Sequence, residues 1–427
     1  MKRLLIKNAK ILDFDKKKEV LTDILVEGER IVEIAKNISN GNAEVLDIEE
    51  KYLFPGLVDA HAHLREPGEE YKEDIASGSR AALHGGVTTV FAMPNTKPAL
   101  DSRAMIEFVI ERAKKAGYSE VLPVGAITKG RKGEELAEIG DMREGGAIAF
   151  SDDGSWVRNS SVMRRALEYS IAFDTVIISH AEDSSLSRGV VHESVMSYDM
   201  GLEGYPSAQE EIAVFRDVKL AELTGGRLHI AHVSSRGSLE IIRGAKEKGV
   251  NVTCEVTPNH LLLAQEEIDL FNPLYKINPP IRTRDDREAL VEGLKEGAID
   301  IIATDHAPHN WYEKETDFNS APSGMISLDF YFSLLYSELV NKGKISIYDL
   351  VAATTYKPAK IFGLSHRGRI EKGYIANLVV FDPVKEFVIS EDFIRSRSKN
   401  TPFLGKRVRG GFVKVIKKGV VLDIEEI

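Results

Sequence analysis

Residues 58–68 read V-D-A-H-A-H-L-R-E-P-G, and this stretch decides how the rest of the chain is read. Residues 57–63 form a short apolar run of strand length, and alternate residues of a strand share a face, so His61 and His63 point the same way. Two like-facing imidazoles suit a borderline metal ion such as zinc. Arg65 stands just beyond the strand end, where its planar, forked guanidinium matches a carboxylate. The segment therefore points to a metal that activates a group and an arginine that holds an anionic substrate. H-x-H alone is a weak signal, because strand histidines are commonly hydrogen-bonded core or surface groups. Further ligands have to come from elsewhere in the chain.

They fall in a regular pattern. Eight runs have the apolar texture of buried strands, at 57–63, 88–94, 121–127, 147–151, 175–180, 227–233, 251–257 and 299–305. Stretches such as 101–116 and 208–223 lie between them and carry apolar residues three and four apart, the spacing of amphipathic helices. Eight strands each followed by a helix predict an α/β fold of the (β/α)8 barrel type over residues 54–365. The first fifty residues, with L-L-I-K-N-A-K-I-L and D-I-L-V-E-G-E-R-I-V-E-I, read instead as short antiparallel strands. The end of the chain resumes that texture, so residues 1–53 and 366–427 are predicted to form one discontinuous β-sandwich.

Composition narrows the function classes. A chain of 427 residues with 43% hydrophobic content has room for a barrel and a smaller module. Its net charge of −10 gives no electrostatic reason to expect nucleic acid or an anionic membrane. The opening M-K-R-L-L-I-K-N-A-K lacks the continuous apolar core of a secretory signal, and no run reaches a membrane span, so the expected location is the cytoplasm. The one cysteine, Cys254, sits in the run N-V-T-C-E-V and reads as a small buried residue.

The candidate ligands end the predicted strands: His61 and His63 the first, Asp152 and Asp153 the fourth, His180 the fifth, His232 the sixth and Asp305 the eighth. Parallel strands of a barrel bring these ends to one mouth. Four histidines and one or two carboxylates exceed the needs of one tetrahedral zinc, so a two-metal site with a bridging carboxylate is the geometric expectation. Taken alone, S-D-D-G at 151–154 would read as a solvated turn. His229, three residues before His232, is expected on the opposite face, toward the helices. His84, His192 and His366 lie away from strand ends, and His260 in T-P-N-H-L has no evident partner.

Seven ordered motifs carry a family resemblance: H-A-H-L-R-E-P-G from His61, G-G-V-T-T-V-F-A-M-P-N-T from Gly85, F-S-D-D-G from Phe150, S-H-A-E-D from Ser179, A-H-V-S-S from Ala231, I-N-P-P-I-R from Ile277 and A-T-D-H-A-P-H from Ala303. With these the chain resembles the class I dihydroorotases of the amidohydrolase superfamily. The resemblance implies reversible closure of N-carbamoyl-L-aspartate to (S)-dihydroorotate with loss of water, in pyrimidine biosynthesis. It implies His61, His63, His180, His232 and Asp305 as ligands of zinc, two ions per subunit, with Asp153 as the bridge. Asp305 would also carry the proton. Arg65, Asn95 and His309 would anchor the substrate carboxylate, with Asn278 and the Pro322, Ser323, Gly324 turn as further contacts. A homo-oligomer and an association with aspartate transcarbamoylase are assemblies that the resemblance allows.

The chain departs from many superfamily members, which bridge their metals with a carboxylated lysine; here the fourth strand ends in S-D-D-G. Where relatives often pair histidines after T-P, this chain has Asn259 and His260, and neither is assigned. The rival readings are a hydantoinase, dihydropyrimidinase or allantoinase, or an inactive homologue kept to bind a partner. Neutral hydantoins and dihydrouracils need no arginine at position 65, and an inactive homologue would be expected to lose ligands.

Overall fold

The computed structural model describes residues 2–427, and each of the eight expected strands is present but shorter than its apolar run. Strands Leu57–Ala62, Val87–Ala92 and Glu120–Pro123 form one parallel sheet. Strands Phe150–Ser151, Val176–Ser179, Arg227–Ile230, Val252–Val256 and Ile301–Ile302 form a second. Isolated parallel bridges join the two sheets, between Gly125 and Phe150 and between Ala62 and His306. Val58, Ala60, Phe91, Met93, Val124, Ala149, Val176, Ile178, Ala231, Ile301 and Ala303 from both sheets pack into one apolar cluster with Phe362. Neighbouring residues such as Leu57, Val90, Ile177, Ile230 and Ile302 join the larger cluster that includes the helices.

The helices form for the reasons visible in the sequence. Arg103–Ala116 follows Ser102, buries Ile106, Val109 and Ala113 at spacings of three and four, and stops where Gly117 takes a φ of 77°. Burying a side chain such as Ile106 contributes about 2 kcal/mol. Ser207–Thr224 begins after Pro206, which pre-sets the entry, and ends at Gly225 in the same left-handed conformation. Among the described residues, no helix is long and apolar enough to cross a membrane.

The two ends of the chain meet in one sheet of eight strands. Leu378–Val388 pairs antiparallel with Tyr52–Pro55, joining the carboxyl-terminal strands to Arg3–Asp13 and its neighbours. Leu4, Ile6, Ile24, Val26, Leu53, Leu378, Val380 and Ile416 form the core of this part. Phe54, Phe332, Phe381 and Phe412 pack ring against ring at its border with the helices.

Candidate active site

Regular strand alternation alone would not have aimed both histidines of H-x-H into the site. Val58 and Ala60 lie in the cluster between the sheets, which would send His61 to the other side. An inserted residue changes the parity: Asp59 pairs with Val90, but Ala62 already pairs with Ala92. Ala62 consequently packs with the helix-side cluster, and His61 and His63 turn inward. Asp59 secures this strand end by accepting from the His61 and Thr304 amides at 3.3 and 3.0 Å and from the Thr304 hydroxyl at 2.5 Å.

Left-handed backbone does similar work elsewhere. His232, Asp305 and Arg65 have φ values of 33°, 47° and 59°. A non-glycine residue pays about 1–3 kcal/mol for such a conformation, and such residues cluster at functional sites. His232 follows the inward Ala231 and still reaches the site because its backbone leaves the extended form. This corrects the expectation for His229. Three residues of separation do not place it toward the helices; its ring stacks edge-on against Phe362 of the inter-sheet cluster and lies 3.2 Å from Glu255 Oε2.

The structure brings the six expected ligand residues together. Asp153 Oδ1 lies 3.3 Å from His61 Nε2, 3.4 Å from His180 Nδ1 and 3.6 Å from His232 Nε2. Its Oδ2 lies 3.5 Å from His63 Nε2. Asp305 Oδ1 faces His63 Nε2 at 2.9 Å and His61 Nε2 at 3.5 Å, while His180 Nδ1 and His232 Nε2 approach to 2.8 Å. Two overlapping groups, His61–Asp153–His232 and His61–His63–Asp305, have donor spacings that could hold a metal ion. His61 Nε2 and Asp153 Oδ1 are buried without a hydrogen-bond partner, as fits atoms that take a cation. Burial opposes charge on both groups, yet Asp153, Glu255 and Asp305 hold His61 well above the usual imidazole range. The surrounding histidines, His61 foremost, hold Asp153 well below that of a carboxylate.

Asp152 faces elsewhere. Its Oδ1 accepts from the Ile127 and Thr128 amides at 2.9 and 3.0 Å, and the Thr128 hydroxyl donates to Oδ2. Arg131 donates to the carbonyls of both Asp152 and Asp153. A cleft of about 340 Å³ lined in part by Arg131, Gly154 and Glu182 opens beside this turn.

Several neighbours hold the histidines in place. Asn95 Oδ1 lies 2.8 Å from His63 Nδ1, and Glu255 Oε1 lies 2.5 Å from His61 Nδ1. Glu182 Oε2 lies 2.9 Å from His180 Nε2 and accepts from Asn278 Nδ2 at 2.8 Å. Asn95 and Asn278, expected at the substrate, thus each brace a candidate ligand group. Glu255, Glu182 and Arg131 escape the sequence reading. The available signal was a charge inside an apolar strand, as with Glu255 in T-C-E-V, or inside a ligand motif, as with Glu182 in S-H-A-E-D.

The rim is made of loops. Arg65 is buried, donates from Nε to the Pro308 carbonyl at 3.2 Å and places Nη2 3.3 Å from His309 Nε2. Burial, then the charges of Arg65, Lys72 and Lys314, drive the His309 pKa down to about 2, so this ring is neutral. Its Nε2 also lies 3.0 Å from the Ser323 carbonyl. Lys314 Nζ donates to the carbonyls of Pro273, Lys276 and Pro322, and Asn400 Nδ2 donates to those of Ala307 and Gly324. Gly324 has a φ of 142°, and a Cβ there would stand 2.8 Å from the Ala307 carbonyl oxygen. Arg65, His309 and the Pro322–Gly324 turn therefore share one corner. His260 does have partners: Thr257 Oγ1 at 2.8 Å and the Pro279 carbonyl at 3.1 Å. Burial pushes the Cys254 thiol up to about 12, consistent with a packing role.

Residues 50–238 match the model of the dihydro-orotase-like family, and residues 292–423 that of an amidohydrolase family. The dihydroorotase of Acetivibrio thermocellus is 47% identical over 425 residues, covering 99% of this chain and 100% of that protein. The dihydroorotase of Carboxydothermus hydrogenoformans is 44% identical over 419 residues, covering 98% and 97%. Among solved structures, the L-hydantoinase of Arthrobacter aurescens superposes with a TM-score of 0.88 at 26% identity, covering 99% of this chain and 96% of that one. The D-hydantoinase of a Thermus species gives 0.83 at 27% identity, covering 98% and 94%. The hydantoinases share the fold, whereas full-length identity at this level runs to the dihydroorotases, and the chain belongs to the dihydroorotase family of metal-dependent amidohydrolases.

Proposed function

We propose that this protein is a dihydroorotase, interconverting N-carbamoyl-L-aspartate and (S)-dihydroorotate in pyrimidine biosynthesis. The observation that carries this reading is the buried Arg65–His309 corner beside a ligand cluster centred on an aspartate. In architecture we take the parallel strands to close a (β/α)8 barrel over residues 54–365, supported by the bridges at Gly125 and Ala62. Residues 1–53 and 366–427 would form the β-sandwich, supported by their common core.

Zinc, two ions per subunit, suits the donor set. His61, His63 and Asp305 would hold one ion, His180 and His232 the other, with Asp153 between them. When bound, the ions supply Lewis acidity and a water that ionises near neutral pH. Arg65 and His309 hold the substrate carboxylate, Arg65 by charge and His309 as a neutral hydrogen-bonding ring. Asn95 and Asn278 present amides at the edge of the ligand cluster, and Pro322, Ser323 and Gly324 close the corner. Asp305, whose side chain is 15% exposed against 3% for Asp153, is placed to move the proton. In ring opening it takes a proton from the attacking water and delivers it to the leaving ring nitrogen, and in closure it takes the proton from that nitrogen and returns it to the departing oxygen, which leaves as water.

The hydantoinase neighbours favour a second reading, hydrolysis of a neutral cyclic amide. Turnover of dihydroorotate, dihydrouracil and hydantoin by the zinc-loaded protein separates the two. A preference for dihydroorotate of about 10- to 100-fold is expected from a charge-assisted clamp. Equal or better use of the neutral rings would move the assignment to the hydantoinases, and inactivity toward all three would favour a binding role.

A further inference from the structure

Directly behind His61 lies a buried polar group that the proposed chemistry does not use. Glu255 and His229 are 1% and 0% exposed, and they belong to the adjacent parallel strands Val252–Val256 and Arg227–Ile230. Glu255 Oε1 lies 2.5 Å from His61 Nδ1, and Oε2 lies 3.2 Å from His229 Nε2. On its far side, His229 Nδ1 stands 2.7 Å from Thr253 Oγ1. The His232 amide also donates to Glu255 Oε1, at 3.4 Å.

The Glu255 carboxylate offers only acceptors, so the ring nitrogens that face it carry the protons. His229 Nε2 donates to Oε2, while the Thr253 hydroxyl, 2.7 Å from His229 Nδ1 and 3.5 Å from the Leu228 carbonyl, meets the far nitrogen. Oε1 then accepts the Nδ1 proton of His61. That assignment leaves His61 Nε2 as the lone pair, aimed at Asp153 and Asp305. Without the carboxylate, nothing at Nδ1 would choose between the two tautomers of His61, and one of them points an N–H at the cation position. The same oxygen holds the amide of His232, a residue whose left-handed backbone needs an anchor.

We propose that Glu255, oriented by His229, is a positioning residue that fixes the ring of His61 and the backbone of His232 and so sets the strength of metal binding. This rests on the reading of His61 and His232 as metal ligands. Glu255 touches no substrate; it acts through the ring that faces the ion.

The test uses the full chain stripped of metal and titrated with zinc against a chromophoric chelator. Glu255→Gln keeps shape but must turn an amide N–H toward one of the two histidines; it should weaken zinc binding 10- to 100-fold. His229→Gln should weaken it less. The melting midpoint of the metal-free variants is read alongside, because a purely structural role would lower the midpoint and leave the zinc affinity of the folded protein unchanged. Parent-like zinc affinity in folded Glu255→Gln overturns the proposal, whereas failure of the parent to bind zinc overturns the metal site itself. Should Glu255→Gln not fold, nitrogen NMR of zinc-loaded, histidine-labelled parent decides: His61 protonated at Nδ1 is expected, and protonation at Nε2 contradicts it.

Discussion

The floor of the site and its rim are held by different means. His61, His63, Asp153, His180, His232 and Asp305 sit at or just past strand ends that the parallel sheets fix. Arg65, His309 and Pro322–Gly324 lie on loops whose backbone carbonyls are gathered by Lys314 and Asn400. The floor is a set of charges in a nearly dry space, so removing one charge should change what the site can hold. The rim is a shaped corner that carries the Arg65 guanidinium beside His309, so changes there should alter affinity for the substrate and leave the metal alone.

The sharpest way to break this distinction is inside the Asp152–Asp153 pair. Asp153→Ala should lose one metal or both and fall to background activity, because repulsion between neighbouring cations would go uncompensated. Asp152→Ala should keep its metal but lose stability by about 1–3 kcal/mol for each buried donor left unpaired at Ile127 and Thr128. Metal analysis and denaturant unfolding of both variants check this; the reverse pattern would exchange their roles. Next in size, Asp305→Asn should cost about a hundredfold or more in turnover, since the amide cannot take up a proton. Normal turnover at normal metal content would remove Asp305 as the proton carrier.

Arg65→Gln tests the rim. It should lower kcat/KM for dihydroorotate by about 10- to 100-fold, the size of a charge-assisted contact, with metal content unchanged. Loss of metal in this variant would erase the division between floor and rim. The smallest effect is one of pH. His309 has a folded pKa near 2 against 6.5 for the ordinary ring, so between those values the unfolded chain binds a proton that the folded chain does not. Stability from this group is therefore complete above pH 6.5 and is lost as pH falls below it, by up to about 1.4 kcal/mol per unit. The difference in unfolding free energy between parent and His309→Gln, followed from pH 7 to 5, should narrow accordingly. A constant difference would mean that the folded ring takes up its proton over the same pH range as the unfolded one.

The same division explains how much was legible in the sequence. Strand texture located all eight parallel strands and the terminal sheet, because apolar alternation reports burial directly. That His61, His63, Asp153, His180, His232 and Asp305 would lie together was legible for the same reason: chemistry-bearing residues closed those runs. Side-chain direction was not. The left-handed backbone at His232 reverses the parity on which the reading of His229 depended, and the inserted residue before Ala62 does the same within the H-x-H strand. Glu255 was missed because it meets His61 across a separation of 194 residues, whereas Glu182 stands inside the same motif as His180 and nothing local shows that its carboxylate turns back to that ring. The Arg65–His309 corner was reached through family resemblance, since nothing local at position 65 names a partner at position 309.

The floor centres on Asp153, which, under the proposed function, would bridge the metals without added carbon dioxide. Metal-free protein titrated with zinc in buffer stripped of bicarbonate measures this directly. The expected result is two zinc ions per chain and full dihydroorotase activity, with no further gain when bicarbonate is restored. Recovery that depends on bicarbonate, or a carboxylated lysine found by mass spectrometry of the intact native protein, would contradict it.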